Sequence, residues 1–295
     1  MNSHQLRVFA AVAAHRSYTR AADELALSQP AVSIQVRELQ RSLGTRLFEQ
    51  IGKKVHLTEA GEGLLPYAKQ VLGLMEEARG ALEALSGLAG GRIRLGASTT
   101  IGIYLLSSSL RDFKERYPDV EVSLRIANTK QIEEGIALNE LDLGFVGERP
   151  SKRDLRVRPY HSDELVLIVA PGHPWAGRRW INCRELSDAP LILREPGSAT
   201  RRVAVEALQA QGVRPDPAME LEHPEAIKRA VEAGLGISLV SRFTVVDEIK
   251  SGRLKALKVR PLSLKRELSI VHHKDKILSP SIRAFLQVVE GKPAE

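Results

Sequence analysis

The sequence predicts an all-α winged head followed by a two-lobed α/β body, and three observations carry that prediction. Three short helical patterns lie between Leu6 and Arg41 and are followed by a hairpin with a basic tip. An apolar seam then runs from Ala68 to Leu85 at alternating spacings of three and four residues. Beyond Gly90-Gly91 the pattern changes to alternating strands and helices.

In the head, Leu6, Phe9, Ala10, Val12 and Ala13 recur at helical spacing. A second helix starts at a cap, Ser17 or Thr19, and carries Ala21, Ala22 and Leu25. A third starts after Ser28, with Pro30 in the first turn, where a missing N–H is tolerated. Only Ala26-Leu27-Ser28 separates the second helix from the third, the short connection of a helix-turn-helix. Leu47-Phe48-Glu49 and Val55-His56-Leu57 flank Gly52-Lys53-Lys54, which reads as a small hairpin, the wing.

The seam Ala68, Val71, Met75, Ala78, Leu82 and Leu85 has the spacing of a two-stranded coiled coil, and we read it as a dimerising helix with Met75, Ala78, Leu82 and Leu85 at the interface. The alternative is an amphipathic helix packed on its own domain. Gly87 and Gly90-Gly91 end the helix and form a hinge. The expected boundaries are a DNA-binding head at 1–61, the linker helix and hinge at 62–89, and a regulatory body at 90–295.

In the body, strands are expected at 93–97, 120–127, 141–146, 165–170, 191–193, 237–240, 254–259 and 267–272. Helices are expected at 105–117, 132–138, 201–211, 225–233 and 281–290. Strand–helix alternation predicts a parallel, doubly wound sheet. The last strand and helix return to complete the first lobe. Lobe 1 then takes about 90–161 and 266–295, and lobe 2 about 162–265.

At 295 residues the chain exceeds one core, and its 43% hydrophobic and 27% charged residues are those of an ordinary globular protein. A net charge of +7 suits a polyanionic partner. Cys183, the single cysteine, excludes an intrachain disulfide framework and a cysteine-rich zinc site, and reads as a structural thiol. The apolar run Val8–Ala14 leads into His15 and Arg16 rather than a cleavage site, so it reads as a buried helix. With no membrane-length apolar segment, the expected location is cytoplasmic, with no membrane partner.

The third helix has its apolar face at Ala31, Val32, Val36 and Leu39; its other face presents Gln29, Ser33, Arg37 and the side of Ile34. Gln29 and Ser33 can hydrogen-bond base edges in the major groove, while Arg37 and Arg41 reach phosphates. In the body, Ser98, Thr99 and Thr100 follow a strand and precede a helix, so hydroxyls and free backbone N–H groups converge there. Pro196-Gly197-Ser198-Ala199-Thr200-Arg201 repeats the arrangement in the second lobe, and two facing helix starts make a cleft for a small anion. Helix capping is the alternative reading of each cluster alone.

From Leu6 to Gly61 the string LRVFAAVAAHRSYTRAADELALSQPAVSIQVRELQRSLGTRLFEQ, a basic wing and LTEAG closely resemble the DNA-binding domain of the LysR-type transcriptional regulators, and the likeness continues more loosely to about Leu286. The resemblance implies a periplasmic-binding-protein-like (type 2) effector domain in the body, and a homodimer or dimer-of-dimers homotetramer on inverted-repeat operator DNA. It implies base contacts from Gln29, Pro30 and Ser33, a backbone contact from Arg37, and wing contacts from Lys53 and Lys54; where many relatives carry a polar or basic residue, this chain has Ile34, which can touch a thymine methyl. It adds Thr129, Val146, Gly147 and the loop at His223-Pro224 to the effector site. RNA polymerase is a further expected partner, since such regulators often activate transcription. FEQIGKKVHLTEAG looks most like the branch that regulates carbon-dioxide fixation, whereas GASTTIGIYLL and REPGSATRR look more like regulators of sulfur and related anion metabolism.

An enzyme would need a nucleophile with its base, a metal cluster or a paired acid and base, and no local motif supplies one; His161, His173, His272 and His273 are scattered. We expect no cofactor and no metal. The competing readings are a constitutive DNA binder with a vestigial ligand domain, and a solute-binding protein; the latter leaves the first ninety residues unexplained.

Overall fold

A computed structural model describes residues 1–52, 54–85, 91–150 and 153–291. They form an N-terminal unit that ends with a long helix and a C-terminal unit that begins at the following strand.

The N-terminal unit comprises α1 (Ser3–His15), α2 (Tyr18–Leu25), α3 (Gln29–Leu43), β1 (Phe48–Ile51), β2 (Lys54–Leu57) and α4 (Glu59–Leu85). Its helix starts follow from side-chain chemistry. Asn2 and Gln5 form a reciprocal capping box on α1, and Ser17, the first of the two candidate caps, accepts from the Arg20 N–H to open α2. Ser28 caps α3 through the Ala31 N–H, and Pro30 sits in that first turn. Ala26, at φ 52°, closes α2 in the left-handed region and turns the chain into α3. The core joins Phe9, Val12, Ala21, Val32, Val36, Leu39, Leu47 and Phe48, with the Phe9 and Phe48 rings 5.3 Å apart. Gly61 is required where it stands, because a Cβ there would lie 2.1 Å from the Leu47 carbonyl oxygen.

Helix α4 divides the expected seam. Ala68, read as the first seam position, is 1% exposed and belongs to the head's own core together with Leu64, Leu65 and Leu72. Further along, Val71, Leu74, Met75 and Leu82 are 45–66% exposed, and Ala78 is exposed as well. Ala68 thus follows the second reading of this helix, packing on its own domain, while the later seam positions stay exposed. Lys53, the hinge glycines Gly87 and Gly90, and the side chain of Leu85 lie outside the described residues. Gly91 begins a strand.

The C-terminal unit runs β3 (Gly91–Ser98), α5 (Thr99–Tyr104), α6 (Leu106–Arg116), β4 (Val120–Ala127), α7 (Thr129–Ala137), β5 (Leu143–Val146), β6 (Leu155–Val169), β7 (Trp180–Asn182), β8 (Leu191–Arg194), α8 (Ala199–Gln209), β9 (Pro217–Leu221), α9 (Pro224–Glu232), β10 (Ser238–Ser241), α10 (Val246–Lys250), β11 (Lys255–Arg260), β12 (Lys265–His273) and α11 (Pro280–Glu290). It is two-lobed. One core gathers Ile93, Leu95, Phe113, Phe145, Ile270 and Phe285, the other Leu165, Leu167, Leu191, Ala204, Leu239 and Leu257. Cys183 is buried in the second.

The sheet corrects the expectation of an all-parallel arrangement. Strand β3 pairs in parallel with β4 and β5, but β12 is antiparallel to β5 and to β6, and β6 is antiparallel to β10 and β11. The cause is the double crossing between lobes: β6 carries the chain out and β12 carries it back, so the two run in opposite directions side by side, from Lys265↔Glu164 to His273↔Leu155. The period of two that marks a strand carries no information about direction. The polar stretch 155–164 concealed the first part of β6; the expected helix at 105–117 is α6, and a further short helix, α5, precedes it and meets it at Leu105. Both lobes turn short helix starts toward the junction of these crossing strands, and that placement builds the site.

Candidate functional site

On α3, Gln29, Pro30, Arg37 and Arg41 are exposed, Ser33 is half-buried, and Ile34 is 49% exposed, opposite the buried Val32, Val36 and Leu39. The Gln29 Nε2 donates to the Ser33 Oγ at 2.9 Å, one turn apart, which fixes the amide and leaves its carbonyl oxygen and the Ser33 proton for a base edge. Lys54 stands exposed at the start of β2, beside the wing turn, and Ile51 on β1 is 61% exposed. A helix with one greasy and one polar, donor-rich face, flanked by a cationic hairpin, is suited to a DNA groove.

In the C-terminal unit, Ser98, Thr99, Thr100, Thr129, Gly147, Ser198 and Thr200 line one small cavity, where the sequence reading had grouped them. Its volume is about 10 Å³, room for little more than one water. Thr99 and Ser198 lie at the first turns of α5 and α8. The Ser198 Oγ accepts from the Arg201 N–H and caps α8, but the Ser98 Oγ is buried with no partner and makes no cap. A buried hydroxyl without a partner is costly unless something fills the cavity. The Thr129 Oγ1 accepts from the Gly147 N–H at 3.2 Å, which leaves its proton to donate.

Three lining residues escaped the sequence reading, Asn128, Arg194 and Arg266; Ala199, already inside the second-lobe segment, lines the cavity as well. Arg266 is 7% exposed; it is bound to Asp163 at 2.7 and 2.9 Å and donates to the Thr200 Oγ1 at 3.1 Å. Arg194, 5% exposed, is held by Glu195 at 2.8 and 3.0 Å and donates to the Thr99 Oγ1 across the lobes at 3.3 Å. Burial pulls the Arg266 pKa down against the Asp163 carboxylate, which pulls it up. Each cation carries its own counter-ion, so the cavity lining is near neutral. Attraction for an anion then comes from aimed N–H groups, hydroxyls and the start of α8. A signal for Arg194 was present, a charged residue ending an apolar strand; Arg266 sat inside Lys265-Arg266-Glu267 and looked like surface.

Two of the expected effector residues lie outside the cavity. Arg201 does not line the cavity: its guanidinium donates to the Arg194 carbonyl at 2.7 Å and pairs with Glu220. His223 lies instead on an adjoining open cleft of about 800 Å³, shared with Thr99 and Asn128, and its Nδ1 accepts from the Glu225 N–H to cap α9. The cleft is also lined by Arg125, Gln131, Glu195, Glu220 and Glu222.

The lobes are tied on either side of the cavity. The Lys130 N–H donates to the Gly197 carbonyl, and Arg202 pairs with Glu148. Tyr104 on α5 hydrogen-bonds Glu225 on α9; burial first, and then that bond, push the phenol up to about 12, so it stays a donor at neutral pH. Gly147 allows the close approach, since a Cβ there would meet the Ala199 Cβ at 2.8 Å and the Arg266 Nη1 at 3.2 Å. Gly147→Ala is expected to hold the lobes apart and lower the affinity for a cavity-bound anion about tenfold, which is about 1.4 kcal/mol and within the roughly 1–3 kcal/mol that overpacking costs. Calorimetry that finds the same affinity in Gly147→Ala would mean that the lobes need not meet there.

With both sites described, comparison with known proteins decides the family. Residues 3–62 match the bacterial regulatory helix-turn-helix protein of the lysR family, and residues 86–293 match the LysR substrate binding domain. The chain belongs to the LysR family. It is 38% identical to the HTH-type transcriptional activator CmpR of Synechocystis sp. (strain ATCC 27184 / PCC 6803 / Kazusa), over 96% of this chain and 93% of that protein. It is 36% identical to the RuBisCO operon transcriptional regulator of Allochromatium vinosum, over 98% and 96% of the two chains. Among solved structures, the Synechocystis PCC6803 CcmR regulatory domain in complex with 2-PG superposes with a TM-score of 0.64 at 35% identity, covering 70% of this chain and all of that one. This LysR family member is accordingly a DNA-binding transcriptional regulator with an effector domain and not an enzyme; its relatives here fall on the carbon-dioxide fixation side of the two resemblances. Among the described residues no helix is long and apolar enough to cross a membrane.

Proposed function

We propose that this regulator reads inverted-repeat operator DNA with α3 and the wing, dimerises through the exposed half of α4, and responds to a small phosphorylated organic anion seated between the lobes. The observation that carries the effector assignment is the buried, unpartnered Ser98 hydroxyl, in a cavity shared with Thr100, Thr129, Thr200, Arg194 and Arg266. A phosphoryl or carboxylate group offers the acceptor oxygens that these donors need. The cavity holds about one water, so the lobes part to receive the anionic group and the remainder of the effector lies in the adjoining cleft. The 2-PG held by the CcmR regulatory domain is a ligand of this chemical class.

Closing on the anion transmits to the DNA-reading heads only as much free energy as the ligand's preference for one state over the other. Contact with RNA polymerase, promoted by that state, is part of this reading. Melting of the full chain with 2-PG, inorganic phosphate or sulfate tests it: the bound anion raises the melting temperature, by mass action on the native state. No shift with any of the three would remove the effector from the cavity.

In the head, Ile34 supplies the apolar component of readout, through the 5-methyl group of a thymine. Replacing the facing thymine by uracil is expected to weaken operator binding severalfold in the wild type and not in Ile34→Ala. Equal weakening in both proteins, read by gel shift, would take Ile34 off the base edge.

A further inference from the structure

We infer that the hinge of the C-terminal unit carries a second ligand site, for a small organic anion with an aromatic or other flat apolar part. A groove of about 460 Å³ is lined by Ser162, Asp163 and Glu164 of β6, Arg242, Phe243 and Val246 around the start of α10, and Lys265 of β12. It shares no lining residue with the anion cavity or its cleft. Strands β6 and β12 are the two that cross between the lobes, and Lys265 pairs in register with Glu164 at the crossing. The groove therefore sits on the joint itself.

Its chemistry is uncommitted. Arg242 and Lys265 are exposed, and among the described residues neither makes an ion pair or a side-chain hydrogen bond. Opposed to them is the single carboxylate of Glu164, because the other acid, Asp163, is already bound to Arg266 and to the Ser241 hydroxyl at 2.9 Å. The balance is one net positive charge beside an apolar floor of half-buried Phe243 and of Val246, which is 41% exposed. Two uncommitted cations beside an aromatic ring and an aliphatic side chain match an anionic head on a flat apolar body.

The groove is also wired to the cavity. Asp163 is its buried wall, the Asp163 carboxylate fixes the Arg266 guanidinium, and Arg266 donates at 3.1 Å to Thr200, which lines the anion cavity. A ligand that shifts β6 against β12 alters the geometry of Arg266, so the two occupants influence each other's affinity, reciprocally. The coupling rests on the proposed effector site; the groove's own affinity does not.

The test uses the full chain and 2-naphthoate as probe, with neutral 2-naphthamide as the charge control and calorimetry as readout. 2-Naphthoate is expected to bind the wild type and to bind at least tenfold more weakly to the double variant Arg242→Ser with Lys265→Ser, and 2-naphthamide is expected to bind more weakly than the acid. The single variant Lys265→Ser gives the same answer in smaller measure should the double variant fail to fold. Bound 2-naphthoate should change the affinity for inorganic phosphate by about fivefold or more. Absence of naphthoate binding, or binding unchanged in the double variant, would overturn the site. Naphthoate binding with no phosphate binding would instead uphold the groove and contradict the proposed effector.

Discussion

Arg266→Met is expected to destabilise the C-terminal unit by about 3–5 kcal/mol, the cost of leaving a buried charge without its partner. Asp163 has no exposed side-chain surface and Arg266 has 3%, so water cannot replace the lost guanidinium. The Ser241 hydroxyl would remain as a hydrogen-bond partner to Asp163, and one hydroxyl does not neutralise a buried carboxylate. The double variant Asp163→Asn with Arg266→Met should recover much of the loss, because it removes both charges together. Thermal or urea unfolding measures this directly. Anion response should be lost in both variants, since Thr200 loses its donor and the cavity loses one of its two cations. Equal destabilisation in the single and double variants would show that Arg266 contributes through packing and not through the ion pair.

Met75→Glu with Leu82→Glu is expected to raise the dimer dissociation constant roughly 100-fold or more, about 2.8 kcal/mol at 1.4 kcal/mol per decade. Both side chains are exposed, at 46% and 66%, on the half of α4 that lies beyond the head's own core. With Val71 and Leu74 they make a run of large apolar groups facing water, a state that soluble proteins avoid unless another surface covers it. In a symmetric dimer each substitution enters twice, so four carboxylates would crowd one interface. Sedimentation shows the monomer if the seam dimerises the chain, and cooperative occupation of two half-sites disappears with it. An intact dimer would return this half of α4 to the role of a solvent-facing helix.

The head was legible because its signals are local. Ser17 and Ser28 cap, Pro30 starts a helix, Ala26-Leu27-Ser28 turns, and each acts within a few residues. The seam was only half legible: the same spacing serves packing on one's own core at Ala68 and exposure at Met75, and spacing does not say what the apolar face meets. The hydroxyls of the cavity were visible because Ser98-Thr99-Thr100 and Ser198-Ala199-Thr200 each follow a strand. The charged half was not. Arg266 and Asp163 are brought together by a strand crossing that joins residues about a hundred positions apart, and inside a charged run such as Lys265-Arg266-Glu267 a buried, paired arginine is indistinguishable in sequence from a surface one. Arg201 misled for the converse reason: it has the right position on the helix, but Glu220 on the neighbouring strand competes for its guanidinium. The direction of β12 could not be read either, since it depends on where the chain re-enters the first lobe.

The central claim, that a small anion between the lobes controls how the heads read DNA, is tested most directly by footprinting the full chain on its operator with and without 2-PG, in the wild type and in Thr200→Ala. The account predicts a footprint that changes in extent or spacing when the anion is added to the wild type, and an anion-free footprint in Thr200→Ala that matches the wild type but does not respond. A footprint that is the same with and without the anion in both proteins, under conditions where calorimetry shows the anion bound to the wild type, would contradict it.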